Sequence, residues 1–304
     1  MQRYLKIAGL TLGGILIVST VAYQLYWYWV MEKYGQHLPR IDITVATVDR
    51  EYYLFTPSEN TDKTMPLVFL LNGGDAGHWR FPEQFAWEEL AAEAGIIIAV
   101  PVGKRAPNNE GAWQLDTTAN AYQDIRYLTH IIEDISARHS VDPHRLYAVG
   151  YSLGSMFTYE IACQLSHRFA AIASYAGTMP VQPKACDPQH HVPIMHVHGA
   201  NDAIIAYTKQ WDWKNWPTVG TMRDIPSLIE FWRKRYRCKA ASTTASANEI
   251  HSTYTECDQD ATVEHYRLAE GTHEWPATLG GQPTYQTIWA FLARHSSPAP
   301  THTY

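Results

Sequence analysis

The chain has 304 residues, of which 46% are hydrophobic and 18% are charged. This composition supports a substantial core and excludes an intrinsically disordered protein. Asp and Glu number 30 against 24 Lys and Arg, a formal net charge of −6, which argues against a nucleic acid as partner. Residues 1–36 differ in kind from the rest, whereas residues 37–304 fit one α/β domain.

The N-terminal segment is predicted to be a transmembrane helix. Arg3 and Lys6 precede an apolar stretch from Ile7 to Val30 that contains no charged residue and has the length that a bilayer requires. Basic residues before the stretch and aromatic residues at its far end predict a cytoplasmic N-terminus and a domain outside the cytoplasm, periplasmic or extracellular. The alternative is secretion after cleavage of a signal peptide, since Thr20-Val21-Ala22 offers a small residue at a cleavage point.

Four cysteines fit a domain outside the cytoplasm, because an even count in an exported protein usually forms disulfides. Proximity in the sequence favours Cys163 with Cys186 and Cys238 with Cys257, but three pairings exist and the sequence alone does not select one. A zinc site is the alternative, and the lack of a CxxC pair in the sequence argues against it.

Eight apolar runs bounded by turn residues predict strands. They are Ile43 to Val48, Tyr52 to Phe55, Leu67 to Leu71, Ile96 to Val100, Leu146 to Val149, Ile172 to Tyr175, Ile194 to His198 and Val263 to Leu268. Patterns of helical period cover Trp87 to Ala94, Tyr122 to His139, Ser155 to Leu165, Ile225 to Arg237 and Tyr285 to Arg294. This alternation predicts a mostly parallel sheet with helices on both faces and antiparallel strands at its start.

A five-residue motif follows the strand that ends at Val149. It reads Gly150-Tyr151-Ser152-Leu153-Gly154, and a helical pattern begins near Ser155. A serine between a strand and a helix is typical of the nucleophile elbow of the α/β-hydrolase fold, where glycines prevent collisions and the hydroxyl is exposed. We therefore predict that Ser152 is a nucleophile. An incidental serine in a glycine-rich turn is the alternative.

A serine nucleophile needs a histidine as base and a carboxylate that orients the histidine. In this fold the carboxylate and then the histidine follow the serine along the chain. Asp202 comes directly after the strand that ends at His198, and His273 lies in a loop after the last predicted strand. These are the candidate acid and base, with an ordinary Asx turn as the alternative for Asp202.

Two backbone N–H groups are needed to bind the oxyanion of the tetrahedral intermediate. Leu153, the residue after the nucleophile, is predicted to supply one of them. The other is predicted to come from Gly74, in the loop after an early strand, because glycine lets the backbone approach a substrate. An ordinary glycine turn is the alternative for this loop.

Tryptophans in two irregular stretches are candidates for an aromatic cleft, with core packing as the alternative. They are Trp113, Trp211, Trp213 and Trp216. Trp275, close to the candidate base, is a further candidate for contact with the substrate. Four histidines raise the question of a metal site. They are His190, His191, His196 and His198; the last two share one face of a strand, and we predict neither metal nor cofactor.

Several segments together resemble the extracellular polyhydroxybutyrate depolymerases and the related feruloyl and acetylxylan esterases. The resemblance runs from about Pro66 to Pro276. The matching segments are Asp124–Leu128, Val141–Gly154, Phe169–Ala173, His198–Asp202 and Glu270–Pro276. It implies a catalytic triad of Ser152, Asp202 and His273, and a disulfide between Cys238 and Cys257. The chain departs from the family at Asn72, where histidine is usual, and at Ser155, where a second glycine is common.

These observations predict a serine carboxylic-ester hydrolase that forms an acyl-enzyme on Ser152 without a cofactor. Its partner would be a small or oligomeric ester, and the N-terminal helix would attach it to a membrane. A peptidase of the same fold is one alternative. A non-catalytic binding module that has kept the fold is another.

Overall fold

The computed structural model describes residues 19–58, 63–74, 79–104, 113–115, 123–184, 186–212 and 219–298. The chain divides into two compact units. The smaller one contains, among the described residues, 19–37 and 79–80, and the larger one contains all the others.

The smaller unit consists of a helix and a short bridge. Residues 19–34 form helix α1, Gly35 pairs with Trp79 in an isolated antiparallel bridge, and Arg80 N donates to Tyr34 O at 2.8 Å. Over the residues that the structure describes, no helix is long and apolar enough to cross a membrane. The predicted transmembrane helix is therefore not supported by the described residues, and residues 7–18 of that prediction lie outside them.

The larger unit contains fourteen strands and five helices among its described residues. The strands are β1 (Arg40–Val45), β2 (Val48–Phe55), β3 (Met65–Leu71), β4 (Ile97–Pro101), β5 (Val141–Tyr151), β6 (Ala171–Tyr175), β7 (Ile194–Gly199), β8 (Trp211–Asp212), β9 (Thr221–Met222), β10 (Ala240–Ala245), β11 (Glu249–Thr255), β12 (Val263–Leu268), β13 (Thr278–Leu279) and β14 (Gln282–Pro283). The helices are α2 (Gln84–Ala94), α3 (Asp124–Arg138), α4 (Leu153–Gln164), α5 (Ile225–Arg235) and α6 (Thr284–Leu292), with a 3₁₀ turn at Asp258–Asp260.

Ten of the strands form one sheet in the order β1-β2-β4-β3-β5-β6-β7-β12-β11-β10. The six strands from β4 to β12 in this order run parallel, and the strands at the two edges are antiparallel. The predicted mostly parallel sheet with antiparallel strands at its start is thus confirmed. The predicted strand Ile43 to Val48 is wrong in one respect: it crosses a turn in which Ala46 has a φ of 56°, and β1 and β2 lie on either side.

Both faces of the sheet are covered, which explains why the central strands are continuously apolar. Every residue of β3 is buried, and its side chains alternate between two core clusters, with Phe69 in one and Leu70 in the other. Helices α3, α4 and α5 cover the first cluster, whereas α2 and α6 cover the second. The layered architecture brings the ends of β5, β7 and β12 to the same edge of the sheet.

Two disulfides stabilise the larger unit. One joins Cys163 to Cys186 and the other joins Cys238 to Cys257. The pairing favoured by sequence proximity is thus confirmed, and the second bond is the one that the family resemblance implied. The second bond closes the hairpin formed by β10 and β11, at the edge of the sheet. This hairpin has a largely exposed β10 and was not among the predicted strands.

We expect the double variant Cys238→Ala, Cys257→Ala to lower the free energy of unfolding by about 3 kcal/mol, because a cross-link over a loop of this length restricts the unfolded chain. The bond spans 19 residues at the edge strand. Urea unfolding of the variant and of the wild-type chain measures this difference. A loss of less than 1 kcal/mol would contradict the prediction.

Candidate active site

Ser152 occupies a sharp turn between β5, which ends at Tyr151, and α4, which begins at Leu153. Its φ of 54° and ψ of −119° lie outside the regions that residues with a side chain usually adopt. The turn is held from both sides, because Ser152 N donates to Tyr175 O at 2.9 Å and Met156 N donates to Ser152 O at 3.0 Å. The strained conformation is the one expected of a nucleophile elbow.

The two glycines of the motif permit backbone contacts that any side chain would block. A Cβ at Gly150 would lie 2.4 Å from Gly154 O, and a Cβ at Gly154 would lie 2.1 Å from Leu71 O. In both cases the obstacle is backbone, which cannot swing away. The start of α4 is therefore packed directly against the end of β3.

His273 connects the serine to a carboxylate. Its Nε2 lies 2.8 Å from Ser152 Oγ, and its Nδ1 lies 2.8 Å from Asp202 Oδ2. A carboxylate only accepts, so Nδ1 donates to it and the neutral ring keeps Nε2 free to accept from the serine hydroxyl. The structure thus brings together all three side chains that the sequence predicted, in one line of hydrogen bonds.

The two carboxylate oxygens of Asp202 have different partners: one accepts from the backbone of its own turn and the other from His273. Oδ1 accepts from the N–H groups of Ile204 and Ile205, each at 2.8 Å, which is the Asx-type turn raised as the alternative. Oδ2 faces His273 and, at 3.3 Å, Nε2 of His198. Burial would raise the pKa of Asp202, but the hydrogen bonds outweigh burial and the pKa lies well below its ordinary value. The carboxylate is therefore ionised at neutral pH.

The loops that carry the acid and the base are packed backbone to backbone. A Cβ at Gly199 would lie 2.4 Å from Gly271 O. Ala200 N donates to Leu268 O at 2.8 Å, and Asn201 N donates to Gly271 O at 2.9 Å. The separation of Asp202 and His273 is therefore set by main-chain contacts rather than by their side chains alone.

Two tyrosine hydroxyls donate hydrogen bonds to the loop that contains His273. The sequence analysis did not predict them. Tyr151 Oη donates to His273 O at 3.1 Å. Tyr175 Oη donates to Glu274 O and, at 3.3 Å, lies near Thr272 O. Burial raises the pKa of both hydroxyls, so they stay protonated and can donate. The available signal was the place of Tyr151, which directly precedes the serine in the motif.

The loop after β3 lies against the serine, where an oxyanion site requires it. A Cβ at Gly73 would lie 3.1 Å from Ser152 Cβ, whereas a Cβ at Gly74 would meet only Leu153 Cδ2 at 4.0 Å. Leu153 is the first residue of α4, so its N–H belongs to the first helical turn, which lacks intrahelical acceptors. Of the two predicted oxyanion residues, Leu153 directly follows Ser152, whereas Gly74 lies next to the Leu153 side chain and its neighbour Gly73 lies against Ser152.

Trp113 does not line an open cleft, contrary to the expectation from sequence. Its side chain is 1% exposed and stacks on Phe157 of α4, with ring centroids 4.7 Å apart. Its Nε1 donates to Asn72 O at 3.0 Å. Through this hydrogen bond, Trp113 supports the loop of Gly73 and Gly74 from the core. Its ring is buried there because a large apolar surface is more stable in the core than in water.

The other tryptophans are distributed differently. Trp275 follows His273 by two residues and packs against Tyr151, with the two ring centroids 6.2 Å apart, and its Nε1 donates to Glu83 Oε2 at 2.9 Å. Trp211 is partly buried in β8 and packs against the core on the α4 side of the sheet. Trp213 and Trp216 lie outside the described residues. Among the described tryptophans of that prediction, Trp275 is the one whose ring contacts Tyr151, the residue directly before Ser152.

Several known proteins are similar to this chain. The dienelactone hydrolase family matches residues 104–214. The bifunctional acetylxylan esterase/xylanase XynS20E of Neocallimastix patriciarum is 25% identical over 258 residues, which are 83% of this chain and 34% of that protein. Feruloyl esterase B of Piromyces equi is 29% identical over 151 residues, 48% of this chain and 28% of that protein. The chain thus spans about a third of the length of these two relatives.

Solved structures show the same fold. An acetyl xylan esterase from Aspergillus awamori superposes with a TM-score of 0.59 at 12% identity, over 84% of this chain and 99% of that one. An S-formylglutathione hydrolase from Agrobacterium tumefaciens gives a TM-score of 0.54 at 14% identity, over 86% and 95%. The predicted α/β-hydrolase fold and the predicted resemblance to feruloyl and acetylxylan esterases are confirmed.

Proposed function

We propose that this feruloyl esterase-like chain is a serine carboxylic-ester hydrolase, with residues 37–304 as its catalytic domain. One observation carries the proposal: Ser152 Oγ, His273 and Asp202 form a continuous line with both heavy-atom distances at 2.8 Å. A structural serine in a glycine-rich turn has no need of a hydrogen-bonded histidine with an ionised, buried carboxylate behind it. The names of the related esterases support the same reaction.

In the first half of the reaction, Ser152 Oγ attacks the ester carbonyl carbon while His273 Nε2 accepts the hydroxyl proton. Asp202 stabilises the imidazolium that forms. The tetrahedral intermediate then collapses, the bond to the leaving oxygen breaks, and the imidazolium gives its proton to that oxygen. The products of this half are the free alcohol and an acyl-enzyme on Ser152.

Deacylation repeats these steps with water as the nucleophile. His273 takes a proton from the water, which attacks the acyl carbon, and then returns the proton to Ser152 Oγ as the acid leaves. In both halves the oxyanion is bound by the N–H groups of Leu153 and Gly74. Support for this assignment comes from Gly73 and Trp113, which hold the loop of Gly74 close to the serine.

The substrate is proposed to be an acetyl or feruloyl ester, since the two relatives are named for acetylxylan and feruloyl esters. Trp275, which packs against Tyr151 and follows His273 by two residues, is proposed to contact part of such a substrate. Two disulfides favour an oxidising compartment outside the cytoplasm. Attachment of the domain to a membrane through the N-terminal segment stays a prediction.

A fluorophosphonate probe tests the proposal, because it reacts with an activated serine and not with an idle one. We expect stoichiometric labelling of the wild-type chain at Ser152, found by peptide mass spectrometry, and at least a hundredfold slower labelling of the His273→Ala variant. A panel of p-nitrophenyl esters and peptide p-nitroanilides then separates an esterase from a peptidase of the same fold. Absence of labelling would instead favour a binding module.

A further inference from the structure

A second histidine faces the carboxylate of Asp202. His198 Nε2 lies 2.8 Å from Ile205 O and 3.3 Å from Asp202 Oδ2, and the side chains of His198 and Asp202 are both fully buried. A carbonyl and a carboxylate are both acceptors, so Nε2 of His198 carries a hydrogen. Asp202 Oδ2 therefore faces one N–H from His273 and a second from His198.

The hydrogen bonds continue away from the active site into the core. His198 Nδ1 lies 3.2 Å from His196 Nε2. His196 Nδ1 lies 2.7 Å from Tyr159 Oη and 3.2 Å from Ser174 Oγ. We call Tyr159, His196, His198 and Asp202 the buried polar chain. Its first member is on α4, which begins beside the nucleophile, and the two histidines are on β7.

One arrangement of hydrogens gives a partner to every ring nitrogen of the buried polar chain while the imidazoles of His196 and His198 are both neutral. Tyr159 donates to His196, His196 donates to His198, and His198 shares its Nε2 hydrogen between Ile205 O at 2.8 Å and Asp202 Oδ2 at 3.3 Å. Burial and the neighbouring histidines 198 and 265 hold the pKa of His196 well below its ordinary value, and burial raises the pKa of Tyr159. Every donor in the chain thus points toward the carboxylate.

Burial of two histidines and a tyrosine hydroxyl is costly unless all their polar atoms are paired. Apolar side chains of the same volume would fill this part of the core without such a requirement. The buried polar chain ends at the carboxylate of Asp202, which orients His273. The free energy spent on burying these polar groups is therefore linked to the reacting groups.

We propose that His198 is a positioning residue for Asp202, and that His196 and Tyr159 fix the tautomer in which His198 donates. The proposal rests on the proposed function. The second N–H keeps the carboxylate ionised and in the orientation that His273 requires. It also partly offsets the negative charge of Asp202, which would otherwise stabilise the protonated form of His273 more strongly.

Several ionisable side chains surround His198, and none of them replaces its N–H. Tyr207 lies with its ring centroid 5.9 Å away, and Arg267 lies over the ring of Tyr207 at 5.4 Å. From β12, His265 stacks on His196 at 5.5 Å. Its Nδ1 lies 3.1 Å from His196 O, and its Nε2 lies 2.8 Å from Tyr207 Oη.

The test compares His198→Phe, which removes both hydrogen bonds, with His198→Gln, which keeps a donor and an acceptor. We expect kcat for a p-nitrophenyl ester to fall about tenfold in His198→Phe with KM within twofold, and to stay within about threefold of wild type in His198→Gln. Without the second N–H, the charge of Asp202 favours protonated His273. The acidic limb of the kcat/KM profile should therefore move up by about half a pH unit.

A pair of tyrosine variants separates positioning from mere stability. Tyr159 and Tyr236 are both buried, and their rings lie 5.9 Å and 5.4 Å from that of Trp232. Tyr236 Oη donates to Val192 O at 2.9 Å, outside the buried polar chain. Tyr159→Phe should lower kcat about threefold and shift the acidic limb in the same direction. Tyr236→Phe should lose stability and keep both kcat and the pH profile.

Wild-type kcat and pH profile in His198→Phe would overturn the proposal, and an unchanged profile in Tyr159→Phe would overturn the part played by the tyrosine. If His198→Phe does not fold, His198→Gln and the two tyrosine variants test the proposal instead. A pH profile of Tyr159→Phe equal to that of Tyr236→Phe would contradict a positioning role. Failure of the proposed function is distinct: the wild-type chain would then show neither labelling at Ser152 nor ester hydrolysis that depends on Ser152.

Discussion

Replacing Ser152 with alanine is expected to lower kcat/KM for p-nitrophenyl acetate by about 10⁴-fold or more, since the oxyanion site and His273 retain little activity without a nucleophile. The fold should persist. The backbone contacts of the turn, from Ser152 N to Tyr175 O and from Met156 N to Ser152 O, do not involve the hydroxyl. The free energy of unfolding should change by less than about 1 kcal/mol.

Ser166→Ala is a matched control for this variant. Ser166 is 3% exposed and its Oγ accepts from Gln189 N at 3.0 Å, so its loss removes a buried hydrogen bond and leaves the candidate triad intact. Its kcat/KM should equal that of wild type within twofold. If Ser152→Ala kept more than a hundredth of wild-type activity, the proposed mechanism would be wrong.

Gly154→Ala is expected to lower the free energy of unfolding by about 4 kcal/mol or to prevent folding. The new methyl group would lie 2.1 Å from Leu71 O and 2.4 Å from Asn72 O. Leu71 is the last residue of the buried strand β3 and Asn72 directly follows it, so relief requires a shift of α4 or of β3. Strain of this kind is among the few causes of very large effects from single substitutions. Chemical denaturation with circular dichroism measures it.

Gly74→Ala provides the comparison, because it makes the same chemical change in the loop that follows Asn72. Its Cβ would meet only Leu153 Cδ2 at 4.0 Å, an ordinary van der Waals contact. We expect a change in stability of less than about 1 kcal/mol. If Gly154→Ala were as stable as Gly74→Ala, the close packing of α4 on β3 would be disproved.

Much of the fold follows from local patterns. β3 is continuously apolar because both of its faces are covered, and α3 has one buried face because only one side of it meets the sheet. Strands β10 and β11 were not predicted from apolar periodicity, for the opposite reason. β10 is composed of Ala, Ser and Thr and is largely exposed, so it has no apolar periodicity and exists by pairing with its neighbour.

The candidate triad could be predicted because the features that it requires are visible in the sequence. Glycines must flank Ser152 in the turn, and Asp202 and His273 must follow strands in a set order. The roles of Tyr175 and His198 were not predicted. Their partners are a loop carbonyl and a carboxylate whose positions depend on packing between separate elements.

By itself, the sequence determined the periodicity of the strands and helices, the glycine-flanked turn and the order of the three polar side chains, since each depends on neighbours a few residues away. Only the tertiary structure decided that Ser152, His273 and Asp202 meet, across separations of 121 and 71 residues. It also decided that Trp113 is buried under the loop of Asn72 rather than exposed. These outcomes depend on close packing between distant segments, which a local pattern does not encode.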